Sequence, residues 1–338
     1  MASEAASATQ SSPRFVAVGA GRMGRGLAIA FAYAGRPVAV VDLRDRSDIA
    51  WQALADDVRA EVAGALRGLV ELGAVRDDQV RAISERINLV RAAQASEALQ
   101  SAEMVFECLT ETLEAKQAGF EQINRWCADD AIVTSTTSTM SVSQLAGLVR
   151  RPERFFNMHW LNPAYVIPVV ELSTHATTDP TVVERTRQIM ESIGKVPVVC
   201  RADAGYIVSR LQALIMNEAA RMVEEGAATA EEIDKATRYG LGLRFAALGV
   251  VEFIDFGGCD ILFHASREMS RSIDAERYRA PDILNQMMER NHLGLKTASG
   301  FYAYEGRDLK AYRRDVLERT LGMVRHLGLF HAPAENTK

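Results

Sequence analysis

The apolar residues of this 338-residue chain fall into two kinds of run. Over the first two hundred positions, short continuous stretches of β-branched and aromatic residues alternate with longer segments of three- and four-residue periodicity. The short runs mark buried strands and the longer periodicity marks helices. Phe15–Val18, Val38–Val41, Met104–Phe106, Ala131–Val133 and Val196–Val199 are predicted as strands, and Arg154–Ser173 holds two more. Helices are predicted over GLAIAFAYAG (26–35), Thr112–Trp126 and Pro180–Ile193. Ser47–Leu89 is also helical in pattern, with a break at Gly73–Arg76 and a second helix ending near Ile83. That is more chain than one crossover helix needs. It predicts a helical hairpin, about 47–89, projecting from the sheet and able to shape a substrate entrance. Its mixed charges (Asp56, Asp57, Arg59, Glu61, Arg67) read as a solvated face.

From Tyr206 onward the periodicity is helical throughout. One helix carries the stripe Ile207, Leu211, Leu214 and Ile215 and stops near Gly226; another, Glu231–Tyr239, ends at a glycine pair, Gly240 and Gly242. The stripe reads as core packing, though a dimer surface has the same pattern. Strands alternating with helices, then helices alone, predict an α/β domain over 14–200 and a smaller all-helical domain over 201–330. Residues 1–13, small and polar, are expected to be disordered, as is the tail after Phe330.

The first strand runs directly into Gly19-Ala20-Gly21-Arg22-Met23-Gly24 and then into a helix. A G-x-G-x-x-G run carries little information alone. Between a strand and a helix, with Asp42 at the end of the next strand, it has the context of a dinucleotide site. Gly19 permits the tight turn, Gly21 lets a pyrophosphate approach the backbone, and Gly24 allows close helix–strand packing. Asp42 suits the ribose hydroxyls and repels a 2′-phosphate, which favours NAD over NADP; Arg44 and Arg46 nearby weaken that preference.

Two further stretches carry chemistry. Six hydroxyl residues, Thr134–Thr139, follow a predicted strand, and Glu111 follows the strand before it. Ligands of α/β sheets bind at that edge, although a capped helix start gives the same residue types. The stretch RFFNMHWLNPAYVIPVVELS (154–173) sets His159, Asn162 and Glu171 into an otherwise oily run. Buried polar groups need partners. A histidine held by a glutamate is a proton-transfer unit, and equally a satisfied core pair.

Composition narrows the class. The apolar content of 48%, charged content of 25% and net charge of -5 fit a globular protein and disfavour nucleic-acid or anionic-membrane partners. Cys108, Cys127, Cys200 and Cys259 form no C-x-x-C pair and fit a reducing compartment, so a cytoplasmic location is the default. No signal peptide or membrane span is evident. The histidines lack metal-ligand spacing, and no metal is expected.

Together GAGRMG with Asp42, the ECLTE loop, the TTST run, HWLNP followed by PVVEL, AGYIVSRL, and GLKTASGFYAY resemble the 3-hydroxyacyl-CoA dehydrogenase family. The likeness is to the branch that includes L-gulonate 3-dehydrogenase (lambda-crystallin) and carnitine dehydrogenase, and it covers Arg14 to about Gly306. It implies a Rossmann-type NAD-binding domain followed by an all-helical domain through which the chain forms a homodimer. It implies His159 as catalytic base and Glu171 as its orienting carboxylate. Ser138 and Asn162 are implied as hydrogen-bond partners of the substrate oxygen. Glu111 and Lys116 match positions near the nicotinamide end, beside Gly19, Gly21, Met23, Gly24 and Asp42 for the rest of the cofactor. Ser209 stands where the family has Asn, and a shorter hydroxyl cannot donate twice, which puts that substrate contact in doubt. The implied activity is oxidation of the 3-hydroxyl of a short 3-hydroxyacyl compound.

Three alternatives remain open on the sequence. Arg244-Phe245 and Gly249-Val250 stand where coenzyme-A-using members have Pro-Met and Gly-Pro, and the hairpin contains no lysine. An arginine there suits a free carboxylate, as in a gulonate- or carnitine-like substrate, or simply caps a helix. A crystallin-like protein that binds nucleotide without turnover is the second alternative. An NADP-dependent imine or ketone reductase is the third, and Asp42 opposes it.

Overall fold

A computed structural model describes residues 14–201 and 205–331. The segment 1–13 and the tail beyond His331, both expected to be disordered, lie outside the described residues. The chain divides into two compact units, the first reaching Leu214 and the second starting at Ile215.

The first unit is built on one eight-stranded sheet in the order β3-β2-β1-β4-β5-β6-β7-β8. The strands are β1 (Phe15–Val18), β2 (Val38–Val41), β3 (Ile87–Val90), β4 (Met104–Glu107), β5 (Ile132–Ser135), β6 (Phe155–Trp160), β7 (Val169–Ser173) and β8 (Val196–Cys200). All pairings are parallel except β6 with β7. Every residue of β1, β2, β4 and β5 is buried, as expected of parallel strands covered on both faces. The connecting helices are α1 (Arg22–Tyr33), α2 (Asp48–Glu71), α3 (Asp77–Ser84), α4 (Ala95–Gln100), α5 (Leu113–Trp126), α6 (Val142–Ala146) and α7 (Pro180–Ser192). Thr112 caps α5 through its hydroxyl, and Asp179 caps α7 with Pro180 at the first helical position. Phe15, Phe31, Phe106 and Trp160 form a chain of ring contacts through the core. Burying each such side chain is worth roughly 1.5–3 kcal/mol.

The stretch read as helical to Leu89 differs in structure. Its last residues, from Ile87 on, join Val90 in a strand that pairs with β2 at the sheet's edge. Four residues are too few for helical and strand periodicity to be told apart, and the pairing decides. Nor are the charges of α2 simply solvated. Arg25 of α1, only 8% exposed, bonds Asp57 at 2.6 Å and also Glu61, while its Nε donates to the Ala20 carbonyl. That buried cation ties α2 to the helix that follows the glycine loop.

The helix α8 (Ile207–Glu224) contains the division between the units, and none of its residues is buried. The second unit holds α9 (Ala230–Ala236), α10 (Leu243–Ala247), α11 (Val250–Gly257), α12 (Cys259–Ser272), α13 (Asp282–Glu289) and α14 (Leu309–His326). The glycine pair does not end α9 as expected. The backbone continues through Thr237–Gly242 as a π-helical turn into α10. The GLKTASGFYAY loop wraps a fully buried carboxylate, Asp255, which accepts from the N–H groups of Phe301 (3.0 Å) and Tyr302 (2.9 Å).

Candidate active site

The glycine loop shows which of its glycines serve the fold and which leaves room for a ligand. Gly19 has φ +118°, and a Cβ there would lie 2.6 Å from the Cys108 carbonyl oxygen. A Cβ on Gly24 would lie 2.0 Å from the Gly19 oxygen. Both glycines are required by close backbone approach. A Cβ on Gly21 would meet nothing within 4 Å, so the start of α1 stays open on that side. Orphan N–H groups at an open helix start suit a phosphate. Met23, half-buried, packs against the core at the same turn. Asp42, just past the end of β2, is 7% exposed and accepts a hydrogen bond from the guanidinium of Arg46. Arg46 thus pairs with Asp42 within the chain. Strand order reverses between β1 and β4, and the crevice beyond their carboxyl ends is where open α/β sheets bind dinucleotides. These residues fit NAD.

Past the end of β4 lies a network that the sequence only partly indicated. Glu107, fully buried, accepts two bonds from Lys116 (2.9 and 3.0 Å), one from Ser135 (2.6 Å) and one from the Leu109 N–H (2.6 Å). Lys116 also lies 3.3 Å from Glu111. One oxygen of Glu111 receives the Thr137 hydroxyl, the Ser138 N–H (3.0 Å), the Thr139 N–H (3.1 Å) and the Thr139 hydroxyl (3.0 Å). Burial pushes the Glu111 carboxyl up, but Thr137, Lys116 and Thr139 outweigh it and hold it below its ordinary value. Glu111 and Lys116 therefore brace the hydroxyl loop that carries Ser138. Glu107 was missed. The signal that could have found it is a carboxylate closing an all-buried strand with a lysine nine residues on.

His159 and Glu171 are directly opposite across the antiparallel pair β6/β7. Opposed residues point to the same face of the sheet. The His159 Nδ1 lies 2.9 Å from one Glu171 oxygen. The other oxygen accepts the N–H groups of Ile207 (2.8 Å) and Val208 (2.9 Å) at the start of α8. Burial alone would raise the Glu171 carboxyl; the bonds from His159, Val208 and Ile207 outweigh it and hold it below its ordinary value. An ionised Glu171 accepts from Nδ1–H, which fixes the tautomer and leaves Nε2 with its lone pair. Among the described residues no hydrogen bond is made by Nε2.

Tyr206 was not singled out from the sequence. Its ring stacks on His159, with centroids 4.3 Å apart and planes 11° from parallel. An aromatic at the start of the AGYIVSRL helix was the available signal. Ser138 and Asn162 are exposed and Ser209 is half-buried. Among the described residues no hydrogen bond joins them to His159. Arg244, in the second unit, is exposed and its guanidinium carbon lies 5.6 Å from the centre of the Phe253 ring.

A glycine cradle on a Rossmann sheet, with a buried histidine–carboxylate pair on the same sheet, defines an NAD-dependent oxidoreductase. The model of the 3-hydroxyacyl-CoA dehydrogenase NAD-binding domain matches residues 15–204, and that of the C-terminal domain matches 205–304. A 3-hydroxybutyryl-CoA dehydrogenase of Mycobacterium tuberculosis is 31% identical, over 85% of this chain and 96% of its own. The human lambda-crystallin homolog is 34% identical, over 75% of this chain and 77% of its own. The crystal structure of a 3-hydroxyacyl-CoA dehydrogenase from Archaeoglobus fulgidus superposes with a TM-score of 0.72 at 28% identity, covering 94% of this chain and 99% of that one. The chain belongs to the 3-hydroxyacyl-CoA dehydrogenase family, and its activity is that of an NAD-dependent 3-hydroxyacyl dehydrogenase.

Proposed function

We propose that the chain oxidises the 3-hydroxyl of a short 3-hydroxyacyl-CoA thioester, such as 3-hydroxybutyryl-CoA, to the 3-keto form. The observation that carries this reading is the His159–Glu171 pair, whose Nδ1 bond leaves Nε2 as the base. His159 takes the hydroxyl proton, and Glu171 stabilises the imidazolium that forms. Bound NAD supplies the hydride acceptor. Gly19, Gly21, Met23, Gly24 and Asp42 hold it, while Glu111 and Lys116 order the loop at its reactive end. Ser138 and Asn162 orient the substrate oxygen, with Ser209 lending a hydroxyl from α8. General acid–base catalysis of this kind contributes roughly 10²–10⁴-fold.

The chain acts as a homodimer on this reading. Ile207, Leu211, Leu214, Ile215 and Met216 of α8 are all more than 40% exposed, which supports a partner surface. Among the described residues no helix is long and apolar enough to cross a membrane. The buried thiols of Cys108, Cys127 and Cys259 support a reducing compartment, the cytoplasm.

A free-acid substrate is the second reading, favoured by Arg244, an exposed guanidinium of the kind that binds a carboxylate. Comparing kcat/KM for 3-hydroxybutyryl-CoA and for small free 3-hydroxy acids, each with NAD and NADP, separates the two. The thioester with NAD is expected to lead. Turnover of free acids alone, abolished by Arg244→Leu, transfers the assignment to the second reading. Nucleotide binding without turnover of any substrate supports the crystallin-like alternative, and a preference for NADP the reductase.

A further inference from the structure

We propose that Tyr206 is a positioning residue for His159, its ring fixing the plane in which the base presents Nε2. This rests on the reading of His159 as the base. Within the first unit, Tyr206 and the two residues after it touch both members of the catalytic pair. The Tyr206 ring lies flat against the imidazole at 4.3 Å. The next two residues, Ile207 and Val208, hold the second oxygen of Glu171 with their N–H groups. Tyr206 itself is buried and has φ 43°, in the left-handed region where bulky side chains are uncommon. A conformation of that kind persists where surrounding contacts over-determine it.

The geometry explains why a second support is needed. The Nδ1 bond to Glu171 holds the imidazole at one vertex and leaves rotation about that axis. A parallel ring at van der Waals distance removes that freedom. The same π face favours the imidazolium that forms as the proton is taken. The tyrosine hydroxyl does separate work, donating to the Thr137 carbonyl at 2.6 Å. Thr137 immediately precedes Ser138, so the hydroxyl ties the Ser138 loop to the residue that supports the base. Burial pushes the phenol up, so it stays a donor at neutral pH.

Tyr206→Phe keeps the ring and loses the hydroxyl; Tyr206→Leu loses both. Each is assayed for kcat and KM with 3-hydroxybutyryl-CoA and NAD. In the unliganded protein, solvent exchange of the His159 Nδ1 proton is followed by NMR with ¹⁵N-histidine. Tyr206→Leu is expected to lower kcat about 10- to 100-fold, the scale of a misplaced catalytic group, with KM for NAD unchanged and Nδ1 exchange accelerated. Tyr206→Phe is expected to restore most of kcat and slow exchange. If Tyr206→Leu fails to fold, Tyr206→Met replaces it, filling the volume without a π face. Wild-type kcat and exchange in the ring-deleted variant overturn the proposal. So does a Tyr206→Phe loss as large as that of Tyr206→Leu, since the ring would then be irrelevant. His159→Ala is the control: if it retains turnover, the reading of the base fails, while the exchange measurement still decides whether the ring restrains the imidazole.

Discussion

Glu171 in the first unit and Asp255 in the second are both fully buried carboxylates, and each accepts two consecutive backbone N–H groups. Their remaining partners separate them. Glu171 faces the Nδ1 of His159 at 2.9 Å. Asp255 faces the Tyr304 hydroxyl at 3.2 Å and the Cys259 thiol at 3.6 Å. Burial, reinforced by Asp255 itself, pushes Tyr304 up and Cys259 up to about 11, so both stay protonated donors at neutral pH. Among the described residues the groups bonded to Asp255 are all donors, and it serves as the anchor of a loop. A buried carboxylate therefore does not mark a site. A partner imidazole that bonds the carboxylate through one nitrogen and keeps the other open to a proton does.

The sharpest division between the two carboxylates is expected on turnover. His159→Ala should lower kcat by about 10²–10⁴-fold, and Glu171→Gln, which removes the charge that fixes the tautomer, by up to about 10⁴-fold. Steady-state assays with the protein shown to be folded by circular dichroism check both. Near-full turnover in His159→Ala breaks the comparison outright. Asp255→Asn should leave kcat of the folded enzyme intact and cost about 1–3 kcal/mol of stability, because an amide nitrogen cannot accept from Phe301 or Tyr302. Denaturant titration measures that cost; normal stability with lost turnover would reverse the two assignments.

Gly300→Ala sharpens the same point from the loop side. A Cβ there would lie 2.2 Å from an Asp255 oxygen, so a cost of about 1–3 kcal/mol is expected from overpacking. An unchanged unfolding midpoint would show that the loop does not depend on that contact. The smallest expected effect is in acid. The Glu171 carboxyl lies below its ordinary value of 4.5 in the folded chain. Its stabilisation is present above that value and is lost as the pH falls through the folded one, where the folded state binds the proton less readily than the unfolded. Unfolding free energy measured from about pH 6 down to pH 3 should fall less steeply in Glu171→Gln than in the native chain. Identical slopes would mean that the carboxylate contributes nothing through its charge.

What was legible in the sequence was local. The β1–glycine loop–α1–β2–Asp42 order is contiguous, and each glycine's steric reason acts within a few residues or against the adjacent strand. The His159–Glu171 pair was visible because its two strands are joined by a short connection, which brings residues twelve apart into cross-strand register. The short edge strand β3 was not legible, since four residues carry no decisive period and only pairing with β2 makes them a strand.

The apolar pattern determined most of the succession of strands and helices and set His159 and Glu171 in one oily run, because burial and local backbone geometry act on neighbouring residues; it left open whether they form a proton-transfer pair or a satisfied core pair. The tertiary structure decided the rest. It brought Arg25 to Asp57 and Glu61, Glu111 to Thr137–Thr139, and the Tyr206 ring to the face of His159. Those partners lie 26 to 47 residues apart, beyond any helical or strand period. Only the docking of whole elements on a shared core chooses among the many groups that could satisfy one buried charge.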